Sequence, residues 1–202
     1  INAYSSVSHC GFVLLGIGIL TKTAINGAVL QMISHGLMTA LFFAVIGMIY
    51  ERTHTREVSK MGGLLKIMPF ISTLFVLVGL CSLGLPGLSG FVAEVTILVG
   101  SWQRVGAYYQ WATIIAAASI VVTAVYILRA TAKVIMGPLK INNSLGEAAL
   151  AQLDGRPAAN WNERAAVYLL AGGIIAMGIA PFLVTDFIYP ATDFILQQLS
   201  FK

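Results

Sequence analysis

The sequence predicts an all-α integral membrane protein with about five transmembrane helices, one of them discontinuous at Gly84 to Gly90, and a C-terminal amphipathic segment. Three observations support this prediction. Of the 202 residues, 58% are hydrophobic and only 10% are charged, and the mean hydropathy is +0.87, which lies outside the usual range of soluble domains. The twelve Lys and Arg residues lie in short segments between apolar runs or near the end of a run, as the positive-inside rule expects. One long apolar run is interrupted by glycine and proline.

Four uninterrupted apolar runs each predict one membrane span, because about 20 residues at about 1.5 Å each cover the hydrocarbon core. The first run is short, but Tyr4, Ser5 and Ser6 extend it. The third run ends in Arg129 and Lys133, whose long side chains lie one turn apart and reach the nearby membrane surface. The four predicted spans cover residues 7–20, 24–50, 111–136 and 165–180.

The remaining apolar region, residues 67–100, is too long for one span and too short for two spans joined by a surface turn. Its centre reads LGLPGLSGF. Proline removes a backbone donor, and glycine costs about 1 kcal/mol in a helix interior. Open backbone inside a membrane is tolerated only where protein or a water-filled cavity surrounds it. We therefore expect two half-helices, 67–83 and 91–101, as in the broken helices that line ion pathways in transporters. The loop residues are Gly84, Pro86, Gly87 and Gly90.

The distribution of basic residues predicts the orientation. If the broken helix counts as one crossing, nine Lys and Arg residues fall on one side and three on the other. The positive-inside rule then puts loops 51–66 and 137–163 in the cytoplasm and the C-terminus on the outer side. Residues 1–182 are predicted to form the helix bundle and residues 183–202 an interfacial or partner-docking tail. No signal peptide precedes the first run, and we expect the sequence to continue upstream of Ile1.

Glu94 is the only one of eight acidic residues that falls inside a predicted membrane segment. A carboxylate in that position costs at least about 2.5 kcal/mol, so it should face the bundle interior and find water, a cation or its own proton. Desolvation raises the pKa of a glutamate toward neutrality, where it can accept and release protons. The alternative is a structural ion pair with a Lys or Arg of another helix.

Two histidines lie in similar surroundings in the first two spans. His9 stands in SVSHCG and His35 in MISHGL, so that Ser8 and Ser34 directly precede them. Histidine titrates near neutral pH and can receive a proton at one nitrogen while it releases one at the other. The sequence therefore predicts a proton relay of His9, His35 and Glu94, supported by hydrogen bonds or water at Ser8 and Ser34. The alternative is that the histidines are neutral packing residues.

Other kinds of site have no support in the sequence. Nucleotide, flavin, iron–sulfur and zinc motifs are absent, so we expect no metal and no cofactor in this chain. Cys10 and Cys81 lie inside apolar runs and are predicted to be packing residues. The basic residues are not interleaved with stacking aromatics, so the lipid bilayer rather than nucleic acid is the expected environment.

Three stretches closely resemble chain M of proton-translocating NADH-quinone oxidoreductase, the respiratory complex I subunit called chain 4 in mitochondria and plastids. They are NAYSSVSHCGFVLLGIG, NGAVLQMISHGLMTALFFAVIGMIYERTHTREVSKMGGL and MPFISTLFVLVGLCSLGLPGLSGFVAEVTILVGS, and the resemblance extends to about Gly137. The family implies an antiporter-like subunit of about fourteen helices built from two inverted repeats, each with a broken helix. This chain would begin within the tenth helix.

On this resemblance, His9 and His35 match the family's membrane histidines, and Glu94 matches the glutamate of the broken twelfth helix, the expected proton carrier on the exit side. The loop with Pro86 also matches, whereas Ala93 replaces the usual Gly or Ser. The glutamate and two lysines of the family's earlier helices have no counterpart in this chain, so part of the proton path is missing from it.

The resemblance implies a subunit of a proton-translocating NADH:quinone oxidoreductase that carries no redox chemistry itself. NADH, FMN, iron–sulfur clusters and quinone are expected in partner subunits, and the neighbouring membrane-arm subunits are the expected partners. The expected location is a bacterial plasma membrane, with an organellar inner or thylakoid membrane as the alternative. Rival functions are a sodium/proton antiporter subunit of the Mrp type, a membrane subunit of a related hydrogenase, and a structural membrane scaffold.

Overall fold

The computed structural model describes residues 2–141 and 159–200, and these residues are predominantly helical. A two-residue antiparallel pair joins β1 (Met61–Gly62) to β2 (Lys140–Ile141), with Met61 opposite Ile141. The predicted all-α architecture is confirmed. The helices of the described residues are α1 (Asn2–Ile19), α2 (Lys22–Thr53), α3 (Pro69–Ser82), α4 (Ser89–Trp102), α5 (Ala107–Ile135), α6 (Trp161–Ile179) and α7 (Phe182–Ser200).

Two of the described helices, α2 and α5, are long and apolar enough to cross a membrane unaided. Helices α6 and α7 meet the same requirement only as a pair, and they are bent by 70° at their junction. Helices α3 and α4 are shorter apolar helices. The count of five spans therefore stays a prediction.

Helix α2 is central, and its most extensive contacts are with α4 and then with α1. Glycines allow the close approach of these helices, as small residues do at membrane helix interfaces. A Cβ atom at Gly27 would lie 2.7 Å from the Ile97 backbone nitrogen, and one at Gly16 would lie 2.7 Å from the Ala24 carbonyl oxygen. Thr21 caps α2 by accepting from the Ala24 N–H, and its hydroxyl donates to the Gly100 carbonyl at 2.9 Å.

The predicted discontinuity is confirmed, because α3 ends at Ser82 and α4 begins at Ser89. Gly84 and Gly87 adopt positive φ angles of 68° and 93°, which side-chain-bearing residues rarely adopt. The break is shorter than expected, since Gly90 lies inside the first turn of α4. At Gly90 the missing side chain serves packing, because a Cβ there would collide with the Cys81 carbonyl.

The main hydrophobic core lies between α2, α3, α5 and α6, and the turn before α3 closes one end of it. Its fully buried side chains include Leu41, Val45, Met68, Val78 and Ile174. Outside this core, α6 passes directly over the break. A Cβ atom at Gly178 would lie 2.5 Å from the Leu88 Cα atom and would also meet the Gly87 carbonyl.

An ion pair joins the end of α2 to the start of α6. Arg52 Nη2 donates to Glu163 Oε2 at 2.8 Å, and these side chains are only 12% and 21% exposed. Glu163 also completes a capping box with Asn160 at the start of α6. The predicted cytoplasmic loop 137–163 falls largely on residues 142–158, which lie outside the described residues.

The predicted tail forms helix α7, which docks on the start of α2. The buried Thr192 hydroxyl donates to Asn26 Oδ1 at 2.7 Å, and Lys22 Nζ lies 2.7 Å from Asp193 Oδ2. Phe187, Phe194 and Ile195 stay exposed along the helix. That this apolar side meets a partner or the membrane interface stays a prediction.

Candidate functional site

Glu94 lies on the second turn of α4 and is 4% exposed. Its Oε1 atom lies 3.4 Å from His9 Nδ1 of α1. On its other side it faces the break, where a Cβ atom at Gly84 would lie 2.6 Å from Oε2. Within residues 2–141 and 159–200, no Lys or Arg nitrogen lies within 4.0 Å of this carboxylate. The described residues therefore pair Glu94 with a histidine and not with a permanent cation.

His9 is buried, and both of its ring nitrogens have polar neighbours. Nδ1 lies 2.9 Å from Gln31 Nε2, and Nε2 lies 3.4 Å from Ser82 Oγ at the end of α3. Ser82 Oγ is in turn 3.3 Å from Ser5 Oγ, one turn before His9 on the same face of α1. A ring with a partner at each nitrogen can take up a proton at one side and release it at the other.

The two predicted histidines lie side by side. The ring centroids of His9 and His35 are 5.3 Å apart, and the ring planes are inclined by 37°. His35 is half-buried, and Thr39 Oγ1, one turn further along α2, lies 3.3 Å from its Nδ1 atom. The structure thus brings His35, His9 and Glu94 into one contiguous group that three different helices supply.

The two predicted supporting serines have other neighbours. Ser34 is buried and donates to Ser89 Oγ at 2.8 Å, and Ser89 Oγ also lies 3.6 Å from Cys81 Sγ, so these groups bridge α2 to both sides of the break. Ser8 lines a separate cavity of about 490 Å³ between α1 and α5, bordered by Tyr108. Their part in the relay stays a prediction.

Sequence reasoning missed three polar residues of this group: Gln31, Ser82 and Ser5. Gln31 is 1% exposed, although its amide is polar. For two of the three, the sequence spacing indicates a place near a histidine, because residues four apart share one helix face. Gln31 precedes His35 by four residues, and Ser5 precedes His9 by four. Ser82 had no local signal, since its contact with His9 joins residues 73 positions apart.

Within the described ranges, no three His, Cys, Asp or Glu side chains come together as metal ligands would. The group of His35, His9 and Glu94 is polar, ionisable and mostly buried, and such a group is suited to proton transfer.

Comparison with known proteins gives one family and several relatives. The family model described as "NADH:quinone oxidoreductase/Mrp antiporter, TM" matches residues 1–125. The chain is 40% identical over 204 residues to "NAD(P)H-quinone oxidoreductase chain 4 1" of Synechococcus sp. (strain JA-2-3B'a(2-13)), covering 98% of this chain and 37% of that protein. It is 35% identical over 196 residues to "NADH-quinone oxidoreductase subunit M" of Rhodobacter capsulatus, covering 97% of this chain and 36% of the relative. The chain thus spans little more than a third of these relatives.

Two solved structures share the fold. A chain of "Respiratory complex I from Thermus thermophilus with bound NADH" matches with a TM-score of 0.75 and 25% identity, over 97% of this chain and 38% of that chain. A chain of the "Structure of Mrp complex from Dietzia sp. DQ12-45-1b" matches with a TM-score of 0.79 and 20% identity, over 95% of this chain and 41% of that chain.

Proposed function

The chain belongs to the NADH:quinone oxidoreductase/Mrp antiporter transmembrane family, and we propose that it carries protons through the membrane as part of a proton-translocating NADH-quinone oxidoreductase subunit of the chain M, or chain 4, type. Family membership and the two long apolar helices make the chain an integral membrane protein. The names of the relatives that are 35% and 40% identical favour the quinone oxidoreductase over other branches of the family.

One observation carries the proposal: a buried carboxylate, Glu94, lies 3.4 Å from a buried histidine, His9, within the membrane region. Ionisable groups at such a depth mark proton pathways, because their burial is too costly to persist without a use. Had a Lys or Arg taken the place of His9, its permanent charge would hold Glu94 ionised. A histidine leaves both groups free to exchange a proton.

The proton moves along the three side chains in order. It reaches His9 from the neighbouring His35 ring and binds at Nε2, so that His9 becomes an imidazolium. The Nδ1–H bond then breaks, a new O–H bond forms at Glu94 Oε1, and His9 returns to the neutral state. Glu94 finally releases the proton toward the outer side, where the interrupted backbone between α3 and α4 supports internal water.

The energy comes from elsewhere in the assembly. In the proposal, NADH, FMN, iron–sulfur clusters and quinone bind to partner subunits, and quinone reduction there drives the relay in this chain. Neighbouring antiporter-like membrane subunits are its partners. The excess of basic residues in loops 51–66 and 137–163 supports an orientation with these loops in the cytoplasm and the C-terminus outside. The compartment is a bacterial plasma membrane, or a thylakoid or organellar inner membrane.

The experiment that tests the proposal is Glu94→Gln in the complete subunit, assembled into its whole complex. Proton translocation is measured in inverted membrane vesicles during quinone reduction. Glutamine keeps the shape and the hydrogen bonding but cannot carry a proton, so pumping should fall at least tenfold while the complex still assembles. Glu57→Gln, in the exposed Glu57–Lys60 pair, is the control. Unchanged pumping in assembled Glu94→Gln complexes would refute the role of Glu94.

A second candidate is a sodium/proton antiporter subunit of the Mrp type, which the family description and the likeness to the Mrp complex support at the level of the fold. Purification of the native subunit separates the two. Copurification with quinone oxidoreductase subunits supports the first candidate, and copurification with further antiporter subunits in sodium-responsive vesicles supports the second.

A further inference from the structure

Gln31 contacts His9 but has no role in the proton relay proposed above. It lies on α2, is 1% exposed, and its side-chain Nε2 atom is 2.9 Å from His9 Nδ1. Its Oε1 atom is buried and has no hydrogen-bond partner among the residues that the structure describes. A buried amide with one end bonded and the other end free can satisfy its partner in two orientations, by turning about its last bond.

His9 Nδ1 is also the atom that faces Glu94, at 3.4 Å from Oε1. This nitrogen has two states. Without a hydrogen it is an acceptor. The Glu94 O–H can donate to it while Glu94 holds the proton, and once Glu94 is ionised the Gln31 N–H is its donor among the described residues. With a hydrogen it is a donor that Glu94 accepts, and the Gln31 N–H would then oppose it. The amide must turn or withdraw when Nδ1 gains its proton.

We propose that Gln31 is a positioning residue whose side-chain amide turns with each proton, offering its oxygen to His9 Nδ1–H before transfer and its N–H to bare Nδ1 after transfer. This inference rests on the proposed function and deepens it. In this proposal, the orientation with Gln31 Nε2 toward His9 Nδ1 is the one that follows transfer, when neutral His9 carries its hydrogen on Nε2, the atom that lies 3.4 Å from Ser82 Oγ.

The Nδ1–H bond of the imidazolium breaks, the proton forms an O–H bond at Glu94 Oε1, and the electron pair stays on Nδ1. The Gln31 N–H then donates a hydrogen bond to the lone pair on Nδ1, and this bond opposes the return of the proton from Glu94. Gln31 thereby gives the transfer a direction without carrying the proton itself. Neutral His9 then holds its hydrogen on Nε2, and a turn of the ring or exchange of this hydrogen returns His9 to the Nδ1–H form before the next proton arrives.

The groups that face His9 are few among the described residues. They are Glu94 on α4, His35 and Gln31 on α2, and the Ser82 hydroxyl on α3, which in turn contacts Ser5. Glu94 and His35 are the titratable neighbours with which the state of Nδ1 is coupled.

The test uses two Gln31 variants in the complete subunit within its whole complex. Gln31→Met keeps the length of the side chain but removes both the donor and the acceptor, and the proton-transfer rate should fall about tenfold, equivalent to about 1.4 kcal/mol. Gln31→Glu should keep pumping at low pH, because a protonated carboxyl, like the glutamine amide, offers both a donor and an acceptor to His9 Nδ1. As the pH rises, this carboxyl ionises and can no longer donate a hydrogen bond to bare Nδ1, so pumping by the Gln31→Glu complex should be lost.

Leu30→Met is the matched control, since Leu30 is the preceding residue of α2, is 1% exposed and packs in an apolar cluster. It should pump like wild type at every pH. If Gln31→Met also pumps like Leu30→Met, or if the pH profile of Gln31→Glu follows that of wild type, Gln31 only fills space and the inference is overturned.

Redox-induced infrared difference spectra of the same complexes separate this inference from the proposed function. The carboxyl band of Glu94 is the band that disappears in Glu94→Gln, and it should shift in Gln31→Met but not in Leu30→Met. If Glu94→Gln leaves pumping intact while the band still shifts, the proposed function fails and the coupling of Gln31 to the His9–Glu94 pair stands. If pumping needs Glu94 but neither the band nor the pH profile responds to Gln31, the inference alone fails.

Discussion

Gly84→Ala tests whether the break in the membrane helix holds Glu94 in position for proton transfer. Gly84 has φ of 68°, and a Cβ atom there would lie 2.6 Å from Glu94 Oε2. The next nearest atoms would be Glu94 Cδ at 3.6 Å and Phe91 Cα at 3.8 Å. The added methyl group therefore meets the end of the Glu94 side chain before any backbone atom, and the carboxylate is what must move.

The magnitude has two parts. A side chain at positive φ costs about 1–2 kcal/mol, which lowers the stability of the break but leaves the chemistry untouched. The carboxylate oxygen must also retreat by about 0.8 Å to restore an ordinary van der Waals contact. A misplacement of about 1 Å at a reacting group can cost about 100-fold in rate. We expect the pumping rate of assembled complexes to fall between about 10-fold and 100-fold.

The assay is proton translocation per electron in inverted vesicles, with the amount of assembled complex measured separately. Gly87→Ala is the matched control, because Gly87 also has a positive φ, of 93°, while a Cβ atom there would meet nothing within 4 Å. It should lower stability to a similar extent and leave pumping per complex unchanged. Equal loss of pumping in both variants, or normal pumping in Gly84→Ala, would show that the break does not position Glu94.

Two further predictions concern stability, measured as thermal unfolding of the assembled complex. Gly178→Ala puts a methyl group against the backbone of the break and should lower the stability of the complex by about 1–3 kcal/mol. Gly172→Ala, where a Cβ atom would meet nothing within 4 Å, should be neutral or raise the stability by up to about 1 kcal/mol. Similar effects of the two substitutions would contradict the contact of α6 with the break. Arg52→Gln leaves the partly buried Glu163 without its cation and should cost about 1–3 kcal/mol, while Lys60→Gln in an exposed pair should cost less than about 1 kcal/mol. An equal loss in these two variants would mean that the α2–α6 ion pair is as weak as a surface pair.

The helices could be predicted because apolar run length and the glycine–proline interruption are local properties of the sequence. The exact residues at which the helices begin and end are harder to predict from the sequence. Helix α1 is already helical at Asn2, ahead of the apolar run that starts at Val7, and polar residues such as Ser5 face the interior there. Gly90 was read as part of the loop, whereas its small size serves a contact with the Cys81 carbonyl. Hydropathy does not distinguish a glycine that bends the chain from one that admits a neighbour.

The tail illustrates a different limit. Its amphipathic pattern predicted a surface segment but not where it lies, because the bond from Thr192 to Asn26 joins residues 166 positions apart. Within the site, His9, His35 and Glu94 could be found because ionisable side chains are rare in apolar runs. Gln31 was missed because its amide is not ionisable, and its position four residues before His35 indicates a shared helix face but no contact with His9. Only the folded chain brings it to His9.

The nature of the partner of Glu94 decides between a structural and a functional carboxylate. Two unit charges at about 4 Å attract by about 4 kcal/mol at an effective dielectric constant near 20, so a Lys or Arg at that distance would hold a carboxylate ionised well below neutral pH. A histidine exerts this attraction only while it is protonated, and it is neutral for much of the time near pH 7. In the proposed relay, a histidine partner can exchange a proton with Glu94, which a permanent cation cannot, provided that a third group forms a hydrogen bond with whichever ring nitrogen is left bare. His9 contacts Glu94, Gln31 and Ser82, so both of its ring nitrogens have the polar neighbours that the proposed relay requires. A permanent salt bridge at the same depth would instead hold Glu94 ionised.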